Sequence, residues 1–130
     1  MHPIRYSLVA LDCPDPLALA AFYAELTGLT VEPVGDVPRD RVEWIELVNE
    51  VGPTIAFQKV AHYVAPTWPE GPVPQQLHLD FDVDDLDEGE SFVVALGARL
   101  APYQPGETFR VYLDPVGHPF CLVQRTRTAT

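Results

Sequence analysis

Positive charge is scarce in this chain. Eight Lys and Arg residues stand against nineteen Asp and Glu, a formal net charge of -11 over 130 residues. A field of that sign repels a nucleic acid backbone, and no basic cluster reverses it locally. An anionic membrane surface is disfavoured for the same reason. No stretch approaches the roughly 20 apolar residues of a membrane span. Met1-His2-Pro3-Ile4-Arg5 has no apolar run behind a basic start, so no signal peptide is expected. The only cysteines, Cys13 and Cys121, form neither a metal knuckle nor a disulfide framework. Reduced thiols and a cytoplasmic location are the expectation. A Gly-rich phosphate loop and a Gly-x-Ser-x-Gly elbow are both missing, so nucleotide-cofactor and serine-hydrolase chemistry have no support.

What is present suits one globular domain. Apolar residues make up 47% and charged residues 21%, which rules against global disorder. Fourteen prolines fall mainly between elements and stiffen loops.

The first half reads as strand, helix and three further strands. Residues 5–13 alternate, with Val9, Leu11 and Cys13 on one face and Leu8, Ala10 and Asp12 on the other. Pro14 ends the ladder, Asp15 is placed to cap a helix, and Pro16 suits its first position. Leu19, Phe22, Tyr23 and Leu26 form its apolar stripe, and Gly28 stops it. Strands are predicted over 29–34, 42–48 and 54–60. Residues 61–74, with Pro66, Pro69, Pro72 and Pro74, form a rigid linker.

The pattern then restarts. Leu77, Leu79, Phe81 and Val83 oppose His78, Asp80 and Asp82 on a strand. A helix with Phe92, Val93 and Leu96 inward runs to Gly97. Strands follow over 98–102, 109–113 and 119–124. A shift of 70 positions lays Leu8 on His78, Leu11 on Phe81, Asp12 on Asp82, Asp15 on Asp85 and Leu26 on Leu96. Two copies at so long a period mark a duplicated module rather than a solenoid. The predicted fold class is α+β: two tandem βαβββ modules, about 5–60 and 75–124, whose sheets form a curved surface with a central cleft.

The cleft face would carry His78, Asp80 and Asp82 from one strand, and Ala56, Gln58, Cys121 and Val123 from the last strand of each half. His78 has two readings, a cleft ligand or general base, and a plain strand-face histidine bonded to Asp80. Trp44, Tyr63 and Trp68 could wall an apolar ligand site or simply pack. Arg110 and Tyr112 share a strand face and could meet an anionic group or solvent. His118 reads as a turn residue, and Cys13 as a buried thiol.

Several segments together resemble the vicinal oxygen chelate superfamily of glyoxalase, bleomycin-resistance and extradiol dioxygenase proteins, in particular its glyoxalase-like subgroup. They are Leu11-Asp12-Cys13-Pro14-Asp15-Pro16 with Ala21-Phe22-Tyr23, His78-Leu79-Asp80 with Val83-Asp84-Asp85-Leu86, and Asp114-Pro115-Val116-Gly117-His118-Pro119-Phe120-Cys121-Leu122. The resemblance implies a small-molecule protein, commonly a homodimer, with an isomerase, lyase or dioxygenase-like activity or a metal-free binding role. In metal-dependent relatives each module gives one ligand from its first strand and one from its last. Those positions here are Leu8, His78, Ala56 or Gln58, and Cys121. A divalent site needs three or more protein ligands. Leu8 cannot serve, so the count favours no catalytic metal. A divalent ion (zinc, nickel, manganese or iron) on His78 and Gln58 is the alternative. The expected site is His78 as the catalytic residue, with Trp44, Gln58, Asp80, Arg110, Tyr112 and Cys121 as ligand contacts. A small-molecule partner, organic and plausibly cationic, is expected; nucleic acid and membrane are not.

Overall fold

Two aspartates open the two helices, and they do so in the same way. Asp15 accepts the backbone N–H of Ala18 at 3.4 Å, and Asp85 accepts that of Glu88 at 3.0 Å. Each cap contributes about 1 kcal/mol. Gly28 and Gly97 close the same helices with φ of 79° and 119°, a conformation that costs a residue with a Cβ. These caps bracket α1, Pro16–Thr27, and α2, Leu86–Leu96. The computed structural model describes residues 2–125.

The strands are β1 (Leu8–Cys13), β2 (Thr30–Val31), β3 (Trp44–Val48), β4 (Thr54–Lys59), β5 (Leu79–Val83), β6 (Arg99–Leu100), β7 (Phe109–Leu113) and β8 (Pro119–Gln124). They form two four-stranded mixed sheets, ordered β1-β4-β3-β2 and β5-β8-β7-β6. The two orders are one order applied twice, so the duplication is real at the level of topology. In each sheet the first and last strands of the module run parallel and the others antiparallel. The chain divides into two compact units, with the boundary between Tyr63 and Val64. Among the described residues no helix is long and apolar enough to cross a membrane.

In the first unit α1 packs on β3 and β4. Leu19, Tyr23, Ile45, Leu47 and Phe57 are essentially buried, and the Tyr23 and Phe57 rings stack at 5.7 Å. Each such side chain contributes about 1.5–3 kcal/mol by leaving water. In the second unit Tyr112 and Phe120 stack at 5.5 Å, and Phe81 meets Phe120 edge-on. Helix α2 lies close to this layer at Gly89, where an added Cβ would sit 3.0 Å from Leu122 Cδ1 and Val83 Cγ1.

Three expectations are corrected. Phe92 does not point inward; it is 50% exposed, and Leu86 and Val93 are the buried positions of α2. The inner stripe runs Leu86, Gly89, Val93, and Gly89 is invisible to a reading of apolar side chains. The strand predicted over 29–34 is only two residues long, as is β6. Finally, 61–74 is not merely a spacer. Its second part closes on itself: Thr67 N–H donates to the Val73 carbonyl at 2.6 Å, and Val73 N–H donates to Thr67 Oγ1 at 3.1 Å. That loop belongs to the second unit.

Candidate functional site

The pleat of β5 decides the geometry. Leu79, Phe81 and Val83 are the more buried positions, while Asp80 and Asp82 are exposed on the other face. His78, immediately before the strand, shares that exposed face. In the parallel register Asp80 sits opposite Cys121, and Cys121 in turn sits opposite Val111 on β7. The three residues make a row across three strands. His78 Nε2 lies 3.2 Å from Asp80 Oδ1. One ligand atom from each of His78, Asp80 and Cys121 falls within 4.8 Å of the other two.

This trio lines a pocket of about 390 Å³ on the open face of the second sheet. Ala101, Val111 and Cys121 form a small buried cluster with Trp68, Phe109 and Val123 packed around it. Those side chains, with Pro105 from the loop before β7 and Pro119 at the start of β8, make the lining mainly apolar. Gln75 and Arg125 add polar groups; Arg125 Nε is bound to Asp82 Oδ1 at 2.8 Å. The volume falls in the range of small-ligand pockets. The side chains of His78 and Asp80 are 43% and 47% exposed, so an incoming molecule can reach them.

Cys121 is not an activated nucleophile. A reactive thiol needs a depressed pKa. Burial first, and then the charge and hydrogen bond of Asp80, push this one up to about 11. Asp80 touches the thiol itself, so the order of a nucleophile-base-orienter triad is not reproduced. The same donors do fit a divalent cation. Imidazole nitrogen, carboxylate oxygen and sulfur are three protein ligands, and a catalytic zinc site keeps three with one position open. Nitrogen and sulfur donors suit zinc over magnesium or calcium. The ligand count that argued against a metal omitted Asp80, which reaches His78 from two residues along the strand.

The other predicted residues divide between the two units. Gln58 is on β4 in the first unit, paired across the sheet with Asp12 and Trp44. The registers settle its counterpart: Ala10 pairs with Ala56 as Asp80 pairs with Cys121, so Ala56 is the equivalent of Cys121 and Gln58 that of Val123. The His78 trio is complete without Gln58. Trp44 donates its indole N–H to Glu46 at 3.0 Å on the same first-unit face.

Arg110 and Tyr112 do share a strand face, but it is the face under α2. Arg110 binds Asp87 at 2.8 Å and Glu90 at 3.2 Å, and the Tyr112 hydroxyl donates to Glu90 at 3.0 Å. The hydrogen bond to Asp87 is the main reason the guanidinium holds its proton more tightly than usual. Burial, then Glu90, raises the Tyr112 phenol above its ordinary range. Neither residue lines the pocket. His118 takes the turn role: its N–H donates to Asp114 Oδ1 at 2.9 Å. Sequence reasoning missed Gln75, Pro105, Phe109, Val111 and Pro119 as pocket residues. Phe109 and Val111 could have been found only with the β7–β8 register in hand.

Comparison with known proteins agrees with the duplicated topology. A family described as "Glyoxalase-like domain" matches residues 8–123. Among solved structures, the chain is similar to a glyoxalase/bleomycin resistance protein/dioxygenase family enzyme from Burkholderia phytofirmans. The identity is 22%, with 92% of this chain and 97% of that one covered and a TM-score of 0.64. It is also similar to the fosfomycin resistance protein FosX of Mesorhizobium loti, at 15% identity, 97% and 94% coverage and a TM-score of 0.64. A glyoxalase-related enzyme from Fulvimarina pelagi matches at 21% identity, 92% and 86% coverage and a TM-score of 0.61. No curated protein sequence matches. With the family profile spanning both modules, the chain belongs to the glyoxalase-like domain family of the vicinal oxygen chelate superfamily.

Proposed function

We propose that the chain is a small-molecule enzyme of isomerase or lyase type, with its substrate seated in the second unit's pocket over His78, Asp80 and Cys121. One observation carries the reading: three metal-competent donors meet at a mainly apolar pocket. His78, Asp80 and Cys121 would hold a divalent cation, zinc before nickel, manganese or iron. A cation there supplies a Lewis acid that polarises a carbonyl or hydroxyl oxygen. The chain's own part is to bind and to keep water away. Val111, Val123 and Phe109 cover the apolar body of the substrate, and Trp68 closes one side.

The test is metal analysis of protein purified without chelator, followed by zinc and cobalt titration of stripped protein. About one equivalent is expected, with a thiolate-to-cobalt charge-transfer band that disappears in Cys121→Ser. At a hundredfold excess over Kd the native state gains about 2.7 kcal/mol, readable as a raised Tm. No bound metal and no Tm change at micromolar zinc, nickel or manganese would sink the metal enzyme.

A second reading has its own support. The Cys121 thiol is held protonated, and the first-unit counterparts Leu8, Ala10 and Ala56 offer no donors. In that form the protein sequesters an organic ligand without metal, and the net charge of -11 favours a cationic one. Resistance to a small toxic compound, which the FosX structures carry in their names, is the setting we propose for either form. We further propose a homodimer in the cytoplasm, where the buried free thiols Cys13 and Cys121 stay reduced. Sedimentation of the purified chain checks the assembly.

A further inference from the structure

We infer that the second unit's pocket takes a small apolar carboxylate, with Arg125 holding the acid group and the His78 trio facing an oxygen function at the other end of the molecule. This rests on the reading that the pocket is the functional one, and it names the class of molecule that the pocket takes.

The strand pairing puts a cation on the open face of the sheet. Pro119, Cys121, Val123 and Arg125 alternate along β8 and just past its end, and all four line the pocket. The backbone pairing runs on beyond Gln124, since Arg125 N–H donates to the Val83 carbonyl at 3.1 Å. The side chain is tied as well. Its Nε lies 2.8 Å from Asp82 Oδ1, and Asp82 shares the exposed face of β5 with Asp80. The guanidinium is thus held over the same face that carries the donor trio. Same-face neighbours on a strand stand about 6.6 Å apart, so Asp82 anchors the guanidinium one such step from Asp80.

The cation is open to a guest. The Arg125 side chain is 58% exposed, and a guanidinium carries five N–H donors, of which one carboxylate takes two side by side. The donors left over form a fork that matches a second planar carboxylate. Among the residues lining the pocket, Arg125 alone has a permanent positive charge and Asp80 alone a carboxylate. Asp80 stands in the donor trio, where a divalent cation would take it up. Val111, Val123, Phe109 and Trp68 supply the apolar surface. A guest that uses all of this has an acid group, an apolar body and an oxygen function roughly 6–7 Å from the acid. The bulk charge of -11 opposes an anion. Exposed charges are screened beyond about 8 Å in physiological salt, whereas a partly buried pair in contact is screened much less. The local guanidinium therefore sets the sign of the ligand. That sign is opposite to the one favoured by metal-free sequestration, so one measurement tells the two apart.

The probes are 4-acetylbenzoate and 4-acetylbenzamide, which share a ring and a ketone and differ in the charge at one end. Calorimetry on the full chain, both stripped and zinc-treated, gives the affinity of each for the wild type, Arg125→Gln and Arg125→Lys. The acid is expected to bind the wild type at least about fivefold more tightly than the amide, a modest factor because the guanidinium is half exposed. In Arg125→Gln the two probes come within about twofold of each other, while the amide holds its wild-type affinity. Arg125→Lys keeps part of the preference, since it retains the charge and loses the fork. Equal binding of the two probes to the wild type overturns the inference. So does a preference that survives Arg125→Gln, and so does binding of neither probe. Tighter binding of the matched cation, 4-acetylbenzylamine, overturns it in favour of a cationic ligand. Zinc titration of the same samples separates this from the enzyme proposal. Zinc uptake with equal binding of acid and amide removes the carboxylate class alone. An Arg125-dependent preference in protein that takes up no metal leaves the carboxylate class standing and removes the metal enzyme alone.

Discussion

Raising the pH should weaken the metal-free fold through one thiol. Cys121 is 7% exposed, and burial, reinforced by Asp80, lifts its pKa from 9.0 to about 11. The raised value means that the folded state prefers the neutral thiol. The stabilisation is therefore complete below pH 9, is lost as pH climbs from 9 to about 11, and does not change further above that. Two pH units correspond to about 2.7 kcal/mol, a large share of a domain's typical 5–15 kcal/mol. Urea unfolding of chelator-treated protein gives the assay, with Cys13→Ala as the background so that a single thiol titrates. Between pH 9 and 11 this protein should lose roughly 2 kcal/mol more than the same protein carrying Cys121→Ser. Tyr112 weakens both above its unperturbed pKa of 10 and cancels in the comparison. Because burial is the largest single cause, Asp80→Asn should remove the part that Asp80 adds by charge and hydrogen bond and leave the part that burial sets. The rate of iodoacetamide alkylation gives a second readout. If the folded thiol titrates near 9, or if Asp80→Asn abolishes the shift, the account of a thiol held neutral by burial with help from Asp80 is wrong.

Two further substitutions probe the scaffold. Asp114 is fully buried, and its Oδ1 accepts from Val116 N–H at 3.0 Å and His118 N–H at 2.9 Å; Asp114→Ala should cost roughly 2–4 kcal/mol in urea unfolding, with Asp114→Asn recovering much of it. Gly89→Ala sets a helix gain of about 0.8–1.0 kcal/mol against the 3.0 Å approach to Leu122 and Val83. Overpacking costs about 1–3 kcal/mol, so the variant should be no more stable than wild type and up to about 2 kcal/mol less. A full helix gain in thermal unfolding would show that the interface yields freely.

The parts of the fold that local chemistry dictates could be read from the residues. Asp15 with Pro16, Asp85, and the glycines at 28 and 97 bound both helices because a cap depends only on its immediate neighbours. The 70-residue echo carried the topology, since both sheets repeat one strand order. Phe92 was misplaced because the inner stripe of α2 runs from Leu86 to Val93 through Gly89, which has no side chain to mark it. Arg110 and Tyr112 were misplaced for a related reason. Strand alternation shows that residues share a face but not which face a helix covers, and Glu90 draws both toward α2. The floor of the pocket was legible because β5 alternates cleanly. Its rim was not, because Gln75 and Pro105 reach it from loops, where no period applies. The third metal-competent donor was left out of the count because Asp80 was read as a ligand contact and a partner of His78.

The unequal halves have a consequence for how this chain could be changed. Leu8, Ala10 and Ala56 stand where His78, Asp80 and Cys121 stand in the second unit, on strands paired in the same register. The first sheet thus repeats the strand pairing of the second without those three side chains. Leu8→His, Ala10→Asp and Ala56→Cys would write the missing side chains back into it. At these positions the two sheets differ by three substitutions, so grafting the donor trio onto the first sheet is an experiment of three codons.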